Sequence, residues 1–226
     1  MTTTTPRIAL ISAVTAAIGP ATAALGELYP EAEVWNILDD RLLVDADERG
    51  GLDDALRARM TRLIDHALSE GADGVLLTCS LYGPVAAETR SDAPVLAPDD
   101  AAFAEIAETG YRRVLVVASF EGAKNDSVAR LRAALTRSGS STTVTGVAVP
   151  AAMAATKAQD ADALLTALVE ACRPLADDVD AILLAQYSLA PAGPALGAAV
   201  DLPVVSGPAS SAVALRTRLS PREEAR

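Results

Sequence analysis

The side chain best suited to chemistry is Cys79, in Gly74-Val75-Leu76-Leu77-Thr78-Cys79-Ser80, where an aliphatic run gives way to a thiol flanked by two hydroxyls. A cysteine titrates near pH 8.5, and backbone N–H groups at a helix start draw it toward thiolate, the form that exchanges protons near neutrality. The segment Ser80 to Pro84 is expected to enter such a helix. Cysteine is among the most buried residue types, so a place in the core is the competing reading. Its position at a strand end argues for function. The other cysteine, Cys172 in Leu168-Val169-Glu170-Ala171-Cys172, falls on an expected helix and reads as core. His66 is the only histidine and sits in mid-helix, so the chain offers no metal cluster of the usual spacing.

The elements that must hold Cys79 alternate along the chain. Strands are expected at Arg7 to Ala13, Ala32 to Leu38, Gly74 to Thr78, Pro94 to Ala97, Arg113 to Ser119, Thr142 to Val149, Ala181 to Ala185 and Pro203 to Ser206. Helices are expected at about Gly19 to Tyr29, Leu52 to Glu70, Asp99 to Thr109, Ser127 to Ser138, Asp160 to Ala176 and Ser210 to Arg218, with a loose tail after Pro221. Continuous aliphatic runs fit parallel strands covered on both faces, so the class is α/β.

A repeat organises these elements. Ala72-Asp73-Gly74-Val75-Leu76-Leu77-Thr78-Cys79 reads like Val179-Asp180-Ala181-Ile182-Leu183-Leu184-Ala185-Gln186. Pro94-Val95-Leu96-Ala97 matches Pro203-Val204-Val205-Ser206, and the openings from Arg7 and Arg113 match too, with Ser12 and Ser119 just past them. Three matches in one order indicate two similar α/β halves, residues 1–110 and 111–226, with the C-terminal helix free to pack back on the first. Ligands of open parallel sheets sit outside the carboxyl ends of the strands. If the sheets face one another across a central cleft, Ser12, Ser119, Cys79 and Gln186 converge on it.

Composition limits the partners. The 226 residues carry a formal charge of −11, which disfavours nucleic-acid and anionic-membrane surfaces. No apolar run approaches the roughly 20 residues of a membrane span, and the Thr-rich opening is not a signal peptide. Two cysteines in different segments suit a reducing compartment, so a cytoplasmic location is expected.

Through the loops "LLTCS" and "LLAQYS", and through the two-half layout, the chain resembles the aspartate/glutamate racemase superfamily. That superfamily includes glutamate, aspartate and hydantoin racemases, maleate isomerase and arylmalonate decarboxylase. The resemblance implies a cofactor-independent enzyme that moves a proton at a carbon next to a carboxylate, with Cys79 as catalytic residue. It also implies a small carboxylate substrate and a homodimer or higher homo-oligomer. A second cysteine is expected where Gln186 stands, and an amide only donates and accepts hydrogen bonds. A one-thiol isomerase, decarboxylase or lyase is therefore an alternative to a symmetrical racemase, and a non-catalytic small-molecule sensor is a further one.

Carbanion chemistry beside a carboxylate loads charge onto its oxygens, and that charge needs donors fixed beforehand. Ser12, Thr78, Ser80 and Ser119 are candidates, with Gln186 and Ser188 opposite; Tyr187 is a carboxylate contact or a second acid. The stretch from Trp35 to Asp45 is expected to end the second strand in a polar loop with Asn36, Asp39 and Asp40. In the superfamily this loop approaches the substrate, which implies Asn36 and Asp40 as contacts, beside the reading of the acids as a helix cap or solvated loop. Structural readings stand beside these: Ser12 and Ser119 as helix caps, Gln186 as a loop amide, and Glu121 and Lys124 as residues of a solvated loop.

Overall fold

The computed structural model describes residues 5–220; the expected loose tail after Pro221 lies outside them. The chain forms two compact units. One runs to Pro98 and takes in the segment from Ser211; the other is Asp99–Ser210. The division falls at Pro98/Asp99, ahead of the repeat boundary near Gly110, because the helix at 100–109 joins the second unit.

The first unit contains β1 (Arg7–Ser12), α1 (Ile18–Leu28), β2 (Glu33–Leu38), α2 (Arg41–Arg49), α3 (Asp54–Ser69), β3 (Gly74–Leu77), α4 (Gly83–Glu88) and β4 (Val95–Leu96). Its four parallel strands are ordered β2-β1-β3-β4. Ile8 to Ile11 and Val75 to Leu77 are fully buried, as central strands covered on both faces require. On one face Ala9, Ile11, Val75 and Leu77 pack with Leu42 and Ala46 of α2, Leu56, Met60 and Ile64 of α3, and Val85 of α4. The other face receives the C-terminal helix, α10 (Gly207–Leu219). Gly74 makes this approach possible, since a Cβ there would meet Leu215 at 3.1 Å and Leu219 at 3.3 Å.

The second unit repeats the plan with α5 (Asp100–Thr109), β5 (Arg113–Ala118), α6 (Glu121–Arg137), β6 (Thr143–Ala148), α7 (Pro150–Ala158), α8 (Ala161–Cys172), β7 (Ala181–Leu184), α9 (Gly193–Val200) and β8 (Val204–Ser206). Its parallel sheet is ordered β6-β5-β7-β8. Leu115, Val117, Ile182 and Leu184 pack under α7, α8 and α9. Val114, Val116, Ala181 and Leu183 pack with Phe103 and Ile106 of α5 and Leu131 and Leu135 of α6. The helix after β4 thus serves the second unit, and most of the helix after β8 serves the first.

Local devices recur at matched places. Asp73 and Asp180 each donate N–H to the carbonyl of the arginine opening the neighbouring strand, Arg7 or Arg113, at 2.8 Å. Each carboxylate in turn accepts that arginine's N–H, at 2.8 and 2.9 Å. Asp53 and Asp160 cap α3 and α8 by accepting from Leu56 N–H and Ala163 N–H, each satisfying a donor that the first helical turn would otherwise leave unpaired.

The structure departs from the sequence expectation in its short helices. The stretch after Asp40 is α2 rather than a polar loop, although only Leu42 and Ala46 of its nine residues are buried. Helix α6 begins at Glu121, six residues before the expected start at Ser127, so "EGAKND" is its opening turns. Gly122 and Asn125 weaken helix propensity there, while Lys124 pairs with Glu121 at 2.6 Å, one turn apart.

Candidate active site

The site is built first from strand ends. β1 pairs with β3 through Ile11 and Leu77, so Ser12 and Thr78 are the next residues on neighbouring strands. Thr78 N–H continues the ladder to the Ile11 carbonyl at 3.1 Å. Both side chains are buried, and Thr78 Oγ1 donates to Ser12 Oγ at 2.9 Å. Of this pair, Ser12 therefore keeps the hydroxyl hydrogen that can be given onward.

Cys79 follows in extended conformation and starts a 3₁₀ turn, Ser80–Tyr82, that runs into α4. Alternation along the strand sends its side chain to the face opposite Thr78, where it packs half-buried against the α2–α3–α4 core. Ser80 is also half-buried. Tyr82 closes the turn with N–H to the Cys79 carbonyl at 3.1 Å, and its buried hydroxyl donates to the Leu42 carbonyl at 2.8 Å. Burial, with the neighbouring Cys79 charge, pushes the Tyr82 phenol up to about 12, so it stays neutral near pH 7.

Other candidates in this unit sit on β2 and just ahead of α2. Asn36 is exposed within β2, in register with Leu10 and one pleat below Ser12, rather than in a loop. The reason is that β2 pairs with β1 through Leu38. Asp39 accepts from Arg59 Nη2 at 2.6 Å, and Arg59 Nη1 also holds Asp45 at 2.7 Å. Asp40 precedes α2 with no side-chain cap bond.

The second unit offers the matching position. β5 pairs with β7 through Val117 and Leu184, as Ile11 pairs with Leu77, so Gln186 stands where Cys79 stands. It too is extended and starts a 3₁₀ turn, Tyr187–Ala192. Gln186 Oε1 accepts the Ser119 backbone N–H at 2.7 Å. An oxygen so occupied turns the amide nitrogen away as a donor. Tyr187 is buried and Ser188 half-buried.

The repeat does not equate Ser12 with Ser119. Asp39 N–H donates to the Ser12 carbonyl at 3.0 Å, and Val149 N–H to the Ala118 carbonyl at 2.8 Å, on the same rung. Ser12 corresponds to Ala118, and Ser119 lies one residue further. Neither serine caps a helix: the residue preceding α6 is Phe120, those preceding the turn at Thr15 and α1 are Val14 and Ala17, and none makes a side-chain cap bond.

The remaining chemistry-bearing residues are structural. Cys172 is fully buried in the α7–α8–α9 core, and burial pushes its thiol up to about 11. His66 is exposed on α3 with its ring edge-on to Trp35 at 5.6 Å. Among the described residues no group of three His, Cys, Asp or Glu is placed to hold a metal ion, and no helix is long and apolar enough to cross a membrane.

Tyr82 and Arg59 are absent from the sequence-based set of site residues. The tyrosine's place three residues past Cys79, in the turn, was a usable signal; the Arg59 contacts depend on the unforeseen α2.

Residues 8–215 match the family model described as Asp/Glu/Hydantoin racemase. No curated protein matches the chain in sequence. Among solved structures, an aspartate racemase from Picrophilus torridus is similar, with TM-score 0.72 and 14% identity over 94% of this chain and 93% of its own. An allantoin racemase from Klebsiella pneumoniae is similar with TM-score 0.66 and 19% identity, over 94% and 86%. An unliganded arylmalonate decarboxylase is similar with TM-score 0.58 and 19% identity, over 98% and 96%. At these identities the structural likeness concerns the fold.

Proposed function

Because this chain belongs to the Asp/Glu/hydantoin racemase family, we propose that it is a cofactor-independent isomerase in which Cys79 moves a proton at a carbon beside the carboxylate of a small acid. The observation that carries this reading is local to the first unit. A half-buried thiol leads a turn at the carboxyl end of β3, one residue past Thr78, whose hydroxyl donates to Ser12 and leaves the transferable hydrogen there. The Cys79 thiolate takes the proton as the C–H bond breaks, and the electron pair moves onto the carboxylate as an enediolate. Ser12 Oγ–H and neighbouring N–H groups meet the charge that develops on the oxygens, where fixed donors act most strongly. For the configuration to invert, solvent water delivers a proton to the opposite face of the enediolate, the carbon–hydrogen bond re-forms there, and the Cys79 S–H gives its proton back to solvent. Thr78, Ser80, Ser119, Tyr187 and Ser188 are the remaining candidates for holding the acid, and Asn36 is the outlying one.

Gln186 favours a second reading, a one-thiol decarboxylase or other lyase. Its carbonyl is engaged by Ser119, and its amide nitrogen binds an acceptor rather than relaying a proton. In that case a carbon–carbon bond breaks and carbon dioxide leaves. The remaining carboxylate takes up the electron pair, and the Cys79 S–H supplies one proton from one side.

The test is incubation with a panel of chiral α-substituted carboxylic acids and substituted malonic acids in D₂O, read by NMR and chiral chromatography. Deuterium at the α-carbon, lost in Cys79→Ser, is the expected result. Exchange in both configurations identifies an isomerase, and carbon dioxide with one labelled configuration identifies the decarboxylase. Full turnover in Cys79→Ser overturns both readings.

A further inference from the structure

Resting on that reading of Cys79, we infer that Tyr82 is a positioning residue for the Cys79 thiol, acting through the Leu42 carbonyl. The geometry is a closed circuit of hydrogen bonds within the first unit. Tyr82 Oη–H donates to Leu42 O at 2.8 Å. Leu42 N–H donates to Asp39 O at 3.2 Å, and Asp39 N–H to Ser12 O at 3.0 Å. Ser12 Oγ receives the hydroxyl of Thr78, the residue before Cys79, and Tyr82 N–H returns to Cys79 O. The turn that bears the thiol is thereby tied to the residue that holds the donor hydroxyl, by way of the first turn of α2.

That first turn is itself anchored. Arg59 of α3 reaches Asp39 at 2.6 Å and Asp45 at 2.7 Å, fixing the start and middle of α2 to the neighbouring helix. The charged or titratable groups acting on Tyr82 are Cys79 from its own turn, Asp39 and Asp45 from the α2 segment, and Arg59 from α3. The phenol itself stays protonated near neutral pH and exchanges no proton; its task is to hold. A phenylalanine fills the same volume but leaves the Leu42 carbonyl without this donor, and the hydrogen-bonded tie between the turn and α2 is lost.

The experiment compares native protein, Tyr82→Phe and a control, Tyr29→Phe, which alters a buried tyrosine at the end of α1. Iodoacetamide is the probe, and the alkylation rate of Cys79 is followed by peptide mass spectrometry from neutral to alkaline pH. Tyr82→Phe is expected to change the limiting rate or the midpoint of this profile several-fold, while Tyr29→Phe reproduces the native curve. On a turned-over acid, Tyr82→Phe should lower kcat more than it raises KM. Superposable alkylation profiles for native protein and folded Tyr82→Phe overturn the inference. Should Tyr82→Phe lose cooperative unfolding, Arg59→Lys takes its place, with the same shift expected and an unchanged profile again decisive. Because alkylation needs no turnover, activity retained in Cys79→Ser removes the catalytic reading without deciding the positioning one.

Discussion

Ser119 donates its backbone N–H to Gln186 Oε1 across 2.7 Å, and this bond decides which end of the glutamine is presented. Two substitutions separate its structural from its functional consequence. Gln186→Met leaves the buried Ser119 N–H without an acceptor and should destabilise the fold by about 1–3 kcal/mol, read as a lowered urea midpoint. Gln186→Glu keeps an acceptor for Ser119 but replaces the outward donor with a second, negatively charged acceptor. Its midpoint should stay close to native while KM for an anionic acid rises roughly tenfold or more, the value of a hydrogen bond to a charged partner. Equal loss of stability in both variants would show that Oε1 is not what Ser119 needs.

The two thiols should be told apart by alkylation. Cys172 is fully buried and pushed up to about 11, whereas Cys79 is half-exposed. At pH 8 a thiol of that kind is thiolate in roughly one molecule in a thousand, from the titration relation alone. Iodoacetamide should therefore modify Cys79 in the native protein and reach Cys172 only after denaturation. Labelling of Cys172 before Cys79 would contradict both the burial and the assigned role.

Acid should act on the second unit through Asp180. The Arg113 guanidinium bonded to it, joined by the N–H groups of Arg112 and Arg113, holds its carboxyl below the usual range against a smaller opposing effect of burial. A depressed value in the folded state means that the contribution is present above about pH 4, the unfolded carboxylate value, and disappears as pH falls through the lower folded value. Denaturation midpoints measured down this range should fall in the native protein. Asp180→Asn should start lower at neutral pH and show a flatter acid limb; an unchanged limb would assign the acid sensitivity to other carboxylates.

The parts of this architecture legible in the sequence are those with a strong local signature. Ile8 to Ile11 and Val114 to Val117 are aliphatic on both faces, and only a doubly covered parallel strand buries such a run. The equivalence of Cys79 and Gln186 was legible because Asp73 and Asp180 start both strands at the same distance, each with the same clip to an arginine. Helix α2 was not legible: its sequence is mostly charged, and its stability depends on tertiary partners such as Arg59. Asn36 was expected both inside the strand Ala32 to Leu38 and with the polar loop that ends it; pairing to β1 through Leu38 keeps it in the strand. Ser12 and Ser119 look equivalent by residue type, but the rung made by Asp39 and Val149 shows them one residue out of step.

The direction of the Thr78–Ser12 bond yields the last prediction. Thr78 Oγ1 gives its hydrogen to Ser12 Oγ, which polarises the Ser12 hydroxyl. Thr78→Val keeps the shape but removes that donation. Both residues are buried, so the variant should lose about 0.5–1.5 kcal/mol of stability, the net worth of one such bond. The effect on turnover should lie at the upper end of that energy range, since a factor of ten in rate is about 1.4 kcal/mol. Deleting a direct oxyanion donor costs on the order of a hundredfold to a thousandfold in kcat, and weakening one from behind should cost less, roughly tenfold. Thr78→Ser restores a hydroxyl and should recover most of the rate, whereas Ser12→Ala removes the onward donor and should fall furthest. Native turnover in Thr78→Val together with a severe loss in Ser12→Ala would mean that Ser12 works without its neighbour. Native turnover in both would remove the hydroxyl pair from the chemistry.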